Sequence, residues 1–125
     1  VACLAATEQV SVGMQACVDG ALLAAMGNRG QLGNAYIEGP ISLDLAIDKE
    51  TVEIKKFKSE VAGDADCLLF PNIETGNAFY KCCTKFNHAE LGALLKGAKV
   101  PCVLSSRGDS AKTKMYSIAL AALMA

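Results

Sequence analysis

The chain has 125 residues, 52% of them apolar and 20% charged, and a net charge of −1. That length and balance suit a folded domain able to bury a core, and they exclude a disordered chain. A near-neutral charge with no basic block excludes nucleic-acid binding by phosphate neutralisation, and the apolar runs fall far short of the roughly 20 residues of a membrane span.

The opening V-A-C-L-A-A-T has neither Met nor a basic region before its apolar residues. It therefore reads as the start of a strand within a longer chain rather than as a signal peptide. Val1–Ala6 is the first predicted strand and Gln15–Val18 the second. Asp19 is then placed to cap a helix that carries Leu22, Ala25 and Met26 on one face, and Gly30 to end it. Asn34–Glu38 reads as a strand closed by a turn at Gly39 and Pro40. Ile41–Ser59 reads as two short surface helices. Asp66–Phe70 is predicted to be a buried strand stopped by Pro71. From Thr75 to Phe86 a helical period sets Phe79, Cys82, Cys83 and Phe86 on one stripe facing the core. Leu91–Leu95 and Val100–Ser105 read as two further strands. The last helix begins near Asp109 or Ser110, with Met115, Ile118, Ala119, Ala122 and Leu123 on one face. Short apolar runs alternating with helices predict an α/β fold, a mostly parallel sheet flanked by helices.

Six cysteines occur without a C-x-x-C pair, and His88 is the only histidine, so a zinc site has few ligands to draw on. Cys3, Cys67 and Cys102 lie in apolar runs, where a free thiol behaves as a small hydrophobe. This usage predicts free thiols and a cytoplasmic protein. Neighbours such as Cys82 and Cys83 on one helix are poorly placed for a bridge, and His88 reads as a surface or capping residue.

Ligands of open α/β sheets lie outside the carboxyl ends of the strands, and three such ends carry unusual residues. Y-I-E-G-P offers Gly39 and Pro40, which read equally as an ordinary turn. F-P-N-I-E-T-G-N-A-F-Y-K places Asn72, Gly76 and Asn77 about a helix N-terminus, with Lys81 one turn on. Unpaired N–H groups there suit an anion, although a plain helix cap reads the same way. S-S-R-G-D-S sets Arg107 between hydroxyls before a helix. A guanidinium is a rigid fork for phosphate, unless it simply pairs with Asp109 on the surface. Two anion-suited loops point to a phosphorylated ligand.

Three stretches carry a further likeness: E-G-P-I-S-L-D-L-A-I, V-A-G-D-A-D-C-L-L-F-P-N-I-E-T-G-N-A-F-Y-K and G-A-K-V-P-C-V-L-S-S-R-G-D-S-A-K-T-K-M-Y-S-I-A-L-A. In order and spacing they resemble the phosphate acetyl/butyryltransferase family, and the ending S-R-x-D-S-x-x-T-K is most similar to its butyryl branch. The resemblance implies reversible acyl transfer, acyl-CoA plus phosphate giving acyl phosphate plus CoA. It implies coenzyme A as a substrate, no tightly bound cofactor, no covalent acyl-enzyme and a homo-oligomer.

By the same resemblance Ser106, Arg107 and Asp109 are the catalytic candidates, with Gly39, Pro40, Asn72, Gly76, Asn77 and Lys81 about the substrate. Acetyl-specific relatives carry a carboxylate in the last helix, whereas A-K-T-K stands here. Asp109 is then the nearest carboxylate, and Lys112 departs from the pattern. The family has two domains of the isocitrate/isopropylmalate dehydrogenase type with the site between them. The chain is then the C-terminal portion. Residues 1–99 would form most of the second domain, and residues 100–125 a strand and helix that pack on the absent N-terminal domain. A non-catalytic module that binds CoA or acyl phosphate is the alternative.

Overall fold

Three short parallel strands in the order β2-β1-β3 organise the first part of the chain in this computed structural model, which describes residues 1–125. The central strand β1 (Ala2–Leu4) is the apolar run A-C-L, buried at every position. It pairs with β2 (Glu38–Ile41) through Ala2–Glu38 and Leu4–Ile41, and with β3 (Leu68–Leu69) through Ala2–Leu68 and Cys3–Leu69. A fully buried strand with parallel neighbours on both sides is what a continuous apolar run predicts.

The helix α1 (Gln15–Asn28) follows β1 and packs on the sheet. It absorbs the run predicted as the strand Gln15–Val18, so Asp19 is not its cap. Asp19 lies inside the helix and accepts a hydrogen bond from Gln15 Nε2 at 2.7 Å, one turn back. The helix ends as predicted at Gly30, whose φ of +69° suits a residue without a side chain. Gly30 N–H bonds to Gly27 O and Gln31 N–H to Met26 O, the paired bonds of a Schellman ending.

Gly39 and Pro40 are not a turn after a strand. They lie within β2, which falls later in the chain than the predicted Asn34–Glu38. β2 is an edge strand, where a proline lacking its N–H is tolerated. The remaining pairing is kept by Glu38 N–H to Val1 O and Ala5 N–H to Ile41 O, both 2.9 Å.

Two short helices do follow, α2 (Leu43–Ile47) and α3 (Lys49–Lys55). α2 is not confined to the surface, because Leu45 and Ala46 join Ala2, Leu4, Ile41 and Val61 in the core. Asp48 caps α3, its carboxylate accepting from Glu50 N–H and from Thr51 Oγ1 at 2.6 Å.

The predicted strand Asp66–Phe70 shrinks to Leu68–Leu69 at the other edge of the sheet. Asp66, Cys67 and Leu69 are exposed, since only one neighbour covers the strand. Helix α4 (Ile73–Lys85) begins two residues before its predicted start.

The chain divides into two compact units, Val1–Asn77 and Ala78–Ala125. The second contains the rest of α4 and the helix α5 (Ala111–Leu123). Its intervening segment forms no strand beyond one antiparallel bridge, Leu95 to Cys102. The predicted strand Leu91–Leu95 lies on α5 instead, and the N–H of Ala93 finds the Ser117 hydroxyl at 2.9 Å. A side chain has taken the place of a neighbouring strand. The stripe of α4 predicted to be buried is open. Cys82 is exposed and Phe86 is 79% exposed.

All six cysteines carry free thiols, and Cys3, buried within β1, has its pKa pushed up by that burial. No helix is long and apolar enough to cross a membrane.

Candidate functional site: the loop before the last helix

Residues Ser105–Ser110 form a loop that feeds α5. The helix begins where predicted, and Ser110 caps it, its hydroxyl accepting from Thr113 N–H at 3.1 Å. Ahead of it, one carboxylate shapes the loop. Asp109 Oδ2 accepts from Ser106 N–H at 2.8 Å, and Asp109 N–H donates to Ser106 O at 3.1 Å. The other oxygen, Oδ1, accepts the phenolic proton of Tyr80 from α4. Gly108 N–H approaches Ser106 Oγ at 3.4 Å. Ser106 Oγ therefore serves the loop as an acceptor and keeps its own proton free to donate.

These bonds set the electrostatics. The Tyr80 hydroxyl, then the Ser106 N–H and the charges of Lys81 and Lys114, hold the Asp109 carboxyl below the usual range. Its carboxylate raises Tyr80 in turn, to about 12. Bonded at both oxygens, the Asp109 carboxylate anchors the loop.

Arg107 lies at the exposed tip of this loop and takes part in no ion pair. The surface pairing of Arg107 with Asp109, the plain alternative read from the sequence, does not occur. A free guanidinium beside the serine hydroxyl and the N-terminal end of a 13-residue helix is suited to an oxyanion. Lys81, expected nearby, stands with Nζ 3.9 Å above the ring of Tyr80.

Below the loop lies a polar cavity of about 380 Å³, lined by His88, Glu90, Asp109, Lys112 and Tyr116 among others. Lys112 pairs with Glu90, and Tyr116 donates to the same carboxylate at 3.3 Å. Glu90 is lowered and Lys112 raised by that contact. His88 is exposed, as predicted, and lies at the rim.

In the first unit, the remaining candidates fall into two places. Gly39 and Pro40 lie against α1. A Cβ on Gly39 would stand 2.6 Å from Cys3 Cβ, and one on Gly20 would stand 3.1 Å from Pro40 Cα. Gly39 therefore permits close helix–strand packing, and Pro40 is buried there. Asn72 caps α4, its Oδ1 accepting from Thr75 N–H at 2.9 Å. Gly76 lies a turn inside the helix, with its N–H bonded to Asn72 O at 3.2 Å, so that N–H is not open to an anion. Asn77 follows it on the exposed side.

Tyr80, Glu90 and Tyr116 are the members of the second unit's network that the sequence did not indicate. Each meets its partner across more than 20 residues of chain (29 between Tyr80 and Asp109), beyond the reach of any local pattern.

Comparison with known proteins bears on this site. The family model "Phosphate acetyl/butaryl transferase" matches residues 1–122. Phosphate butyryltransferase of Clostridium beijerinckii is 49% identical over all of this chain, which spans 41% of that protein. Phosphate acetyltransferase of Rhizobium meliloti is 43% identical over all of this chain and 40% of its own length. The crystal structure of a branched-chain phosphotransacylase from Enterococcus faecalis V583 superposes with a TM-score of 0.85 at 40% identity, covering 97% of this chain and 43% of that one.

Proposed function

Because the chain belongs to the phosphate acetyl/butaryl transferase family, we propose that it contributes one wall of a site moving a short acyl group, butyryl or similar, reversibly between coenzyme A and inorganic phosphate. The chain spans about two fifths of the length of the curated relatives it matches. The proposal assigns the other wall to a second domain of a longer protein, in a cleft like that of the isocitrate dehydrogenase fold.

The observation that carries the reading is Arg107, exposed and unpaired on a loop whose shape is fixed by Asp109. Arg107 binds the phosphoryl group, and its fork suits two oxygens of one phosphate. Ser106, with its proton free, donates to the carbonyl oxygen as charge develops there. The CoA sulfur forms the new C–S bond, the C–O bond to phosphate breaks, and the thiol proton ends on the departing phosphate. The substrate itself is the nucleophile, so neither a covalent acyl-enzyme nor a bound cofactor is needed.

One observation favours the alternative, a module that binds without turnover. Asp109 and Glu90, the carboxylates lining the polar cavity, are both committed to other groups. A CoA-release assay with butyryl-CoA and inorganic phosphate on the full-length protein separates the two. Turnover supports the transferase, and stoichiometric binding without turnover overturns it.

A further inference from the structure

We propose that Tyr80 is a positioning residue, which fixes the loop Ser106–Asp109 through the Asp109 carboxylate so that Arg107 is presented to the phosphoryl group. This inference rests on the acyltransferase reading for what the loop does, but the positioning itself stands on geometry.

The other hydrogen bonds of the loop are local. Ser106, Gly108, Asp109 and Ser110 bond to residues within four positions of themselves. Such bonds fix the shape of a loop but not its direction. The bond from Tyr80 spans 29 residues and ties the same carboxylate to the rigid frame of α4. Asp109 thus has one oxygen for the loop and one for the helix. The ring of Tyr80 is itself half-buried, with the Lys81 ammonium over its face. Misplacing a binding group by about 1 Å can cost on the order of 10²-fold in rate, so an arginine on an exposed loop needs such a tether.

Tyr80→Phe keeps the ring and its cation contact and removes only the hydroxyl. In the full-length enzyme this variant is expected to raise the KM for inorganic phosphate about tenfold, the scale of one hydrogen bond to a charged group, and to leave the KM for acyl-CoA unchanged. In an Arg107→Ala background it should raise the KM for inorganic phosphate no further, because there is no guanidinium left to position. An equal loss in both backgrounds would mean a general structural role and overturn the proposal. The loop is also read without activity, by the rate of tryptic cleavage after Arg107 measured against other lysine and arginine sites. Tyr80→Phe should speed that cleavage about tenfold if the tether is lost. An unchanged rate overturns the positioning role, whereas normal kinetics in Arg107→Ala overturn the acyltransfer reading, so the two fail separately.

Discussion

Arg107 has no carboxylate partner, although Asp109 stands two positions away with both oxygens bonded elsewhere. An arginine kept for packing or for a surface pair would not be left this way. In the full-length enzyme Arg107→Ala is expected to lower kcat/KM at least about 10²-fold, the scale of one lost charge-assisted contact. Arg107→Lys should restore only part of this, since an ammonium cannot form the two-pronged contact. Near-normal kinetics in either variant would return Arg107 to the surface. The arginine was legible in the sequence because a charged residue between hydroxyls ends an apolar run. Tyr80 was not, because nothing near it in the chain marks a hydroxyl that finds its acceptor on another element. A second residue-scale test concerns Asp44, held down to about 2 by the Ser42 hydroxyl and then by Lys55 at 3.0 Å. Its folded pKa lies below the unfolded value of about 3.9, so its stabilisation is full above that value and is lost as pH falls through about 2. The melting temperature of Asp44→Asn should therefore lie below that of the parent at pH 6 and converge with it near pH 2. The gap at pH 6 should shrink in high salt, since both groups are largely exposed. A gap that persists at the lowest pH would deny the carboxylate that role.

Among the elements, the contact of α1 with β2 depends on two glycines facing each other. Gly39 leaves no room for a methyl, with Cys3 Cβ at 2.6 Å and the backbone of Gly20 at 3.1 Å. Gly39→Ala is expected to lower the unfolding free energy by about 1–3 kcal/mol, the range for overpacking a filled core. Gly20→Ala gains about 1 kcal/mol of helix propensity, yet its Cβ would meet the Pro40 backbone at 3.1 Å, so the net change should be smaller or near zero. Gly30→Ala tests a different cause. Nothing lies within 4 Å of the added carbon, but φ is +69°, and the cost should be about 1 kcal/mol from the backbone alone. Urea unfolding of the three variants checks the order, and Gly39→Ala matching the parent would mean that the interface yields easily. The same contact explains what the sequence did not reveal. Asp19 reads as a cap, which sets the helix start there and turns its first residues into a strand. Gly39-Pro40 was taken as a turn, which moved β2 forward. Both readings are locally sound, and both lose to a packing contact between elements distant in sequence. Where the signal is local, as at the start near Ser110 and the end at Gly30, sequence and structure agree.

For the whole molecule the question is how much of an acyltransferase these 125 residues can be. The α/β architecture and the family were legible because long motifs kept their order, while the strands after Phe70 were not, because a strand needs a neighbour to pair with. Leu91–Leu95 finds α5 instead, and Cys102 makes a single bridge. The apolar residues predicted for one face of α5 do not turn inward. Ile118 is 62% exposed and Leu123 85%, while Thr113 and Ser117 are the buried positions. Leu104, at 78%, and Val100 add to the apolar surface of the same unit. Exposed apolar surface of this extent favours association. The chain alone is therefore expected to self-associate at micromolar concentration, and to have little or no transacylase activity even when folded. Holding CoA and acyl phosphate in one orientation supplies about 7–11 kcal/mol of the barrier reduction when a site is complete. Relatives that are more than twice as long have further chain with which to complete one, and half a cleft leaves each phosphate contact in water, where its strength falls several-fold. The test is a CoA-release assay run beside analytical sedimentation, with the chain and the full-length enzyme at equal concentration. A monomeric chain with full-length turnover would mean that Arg107, Ser106 and their neighbours already form the entire site, and the divided cleft would have to be given up.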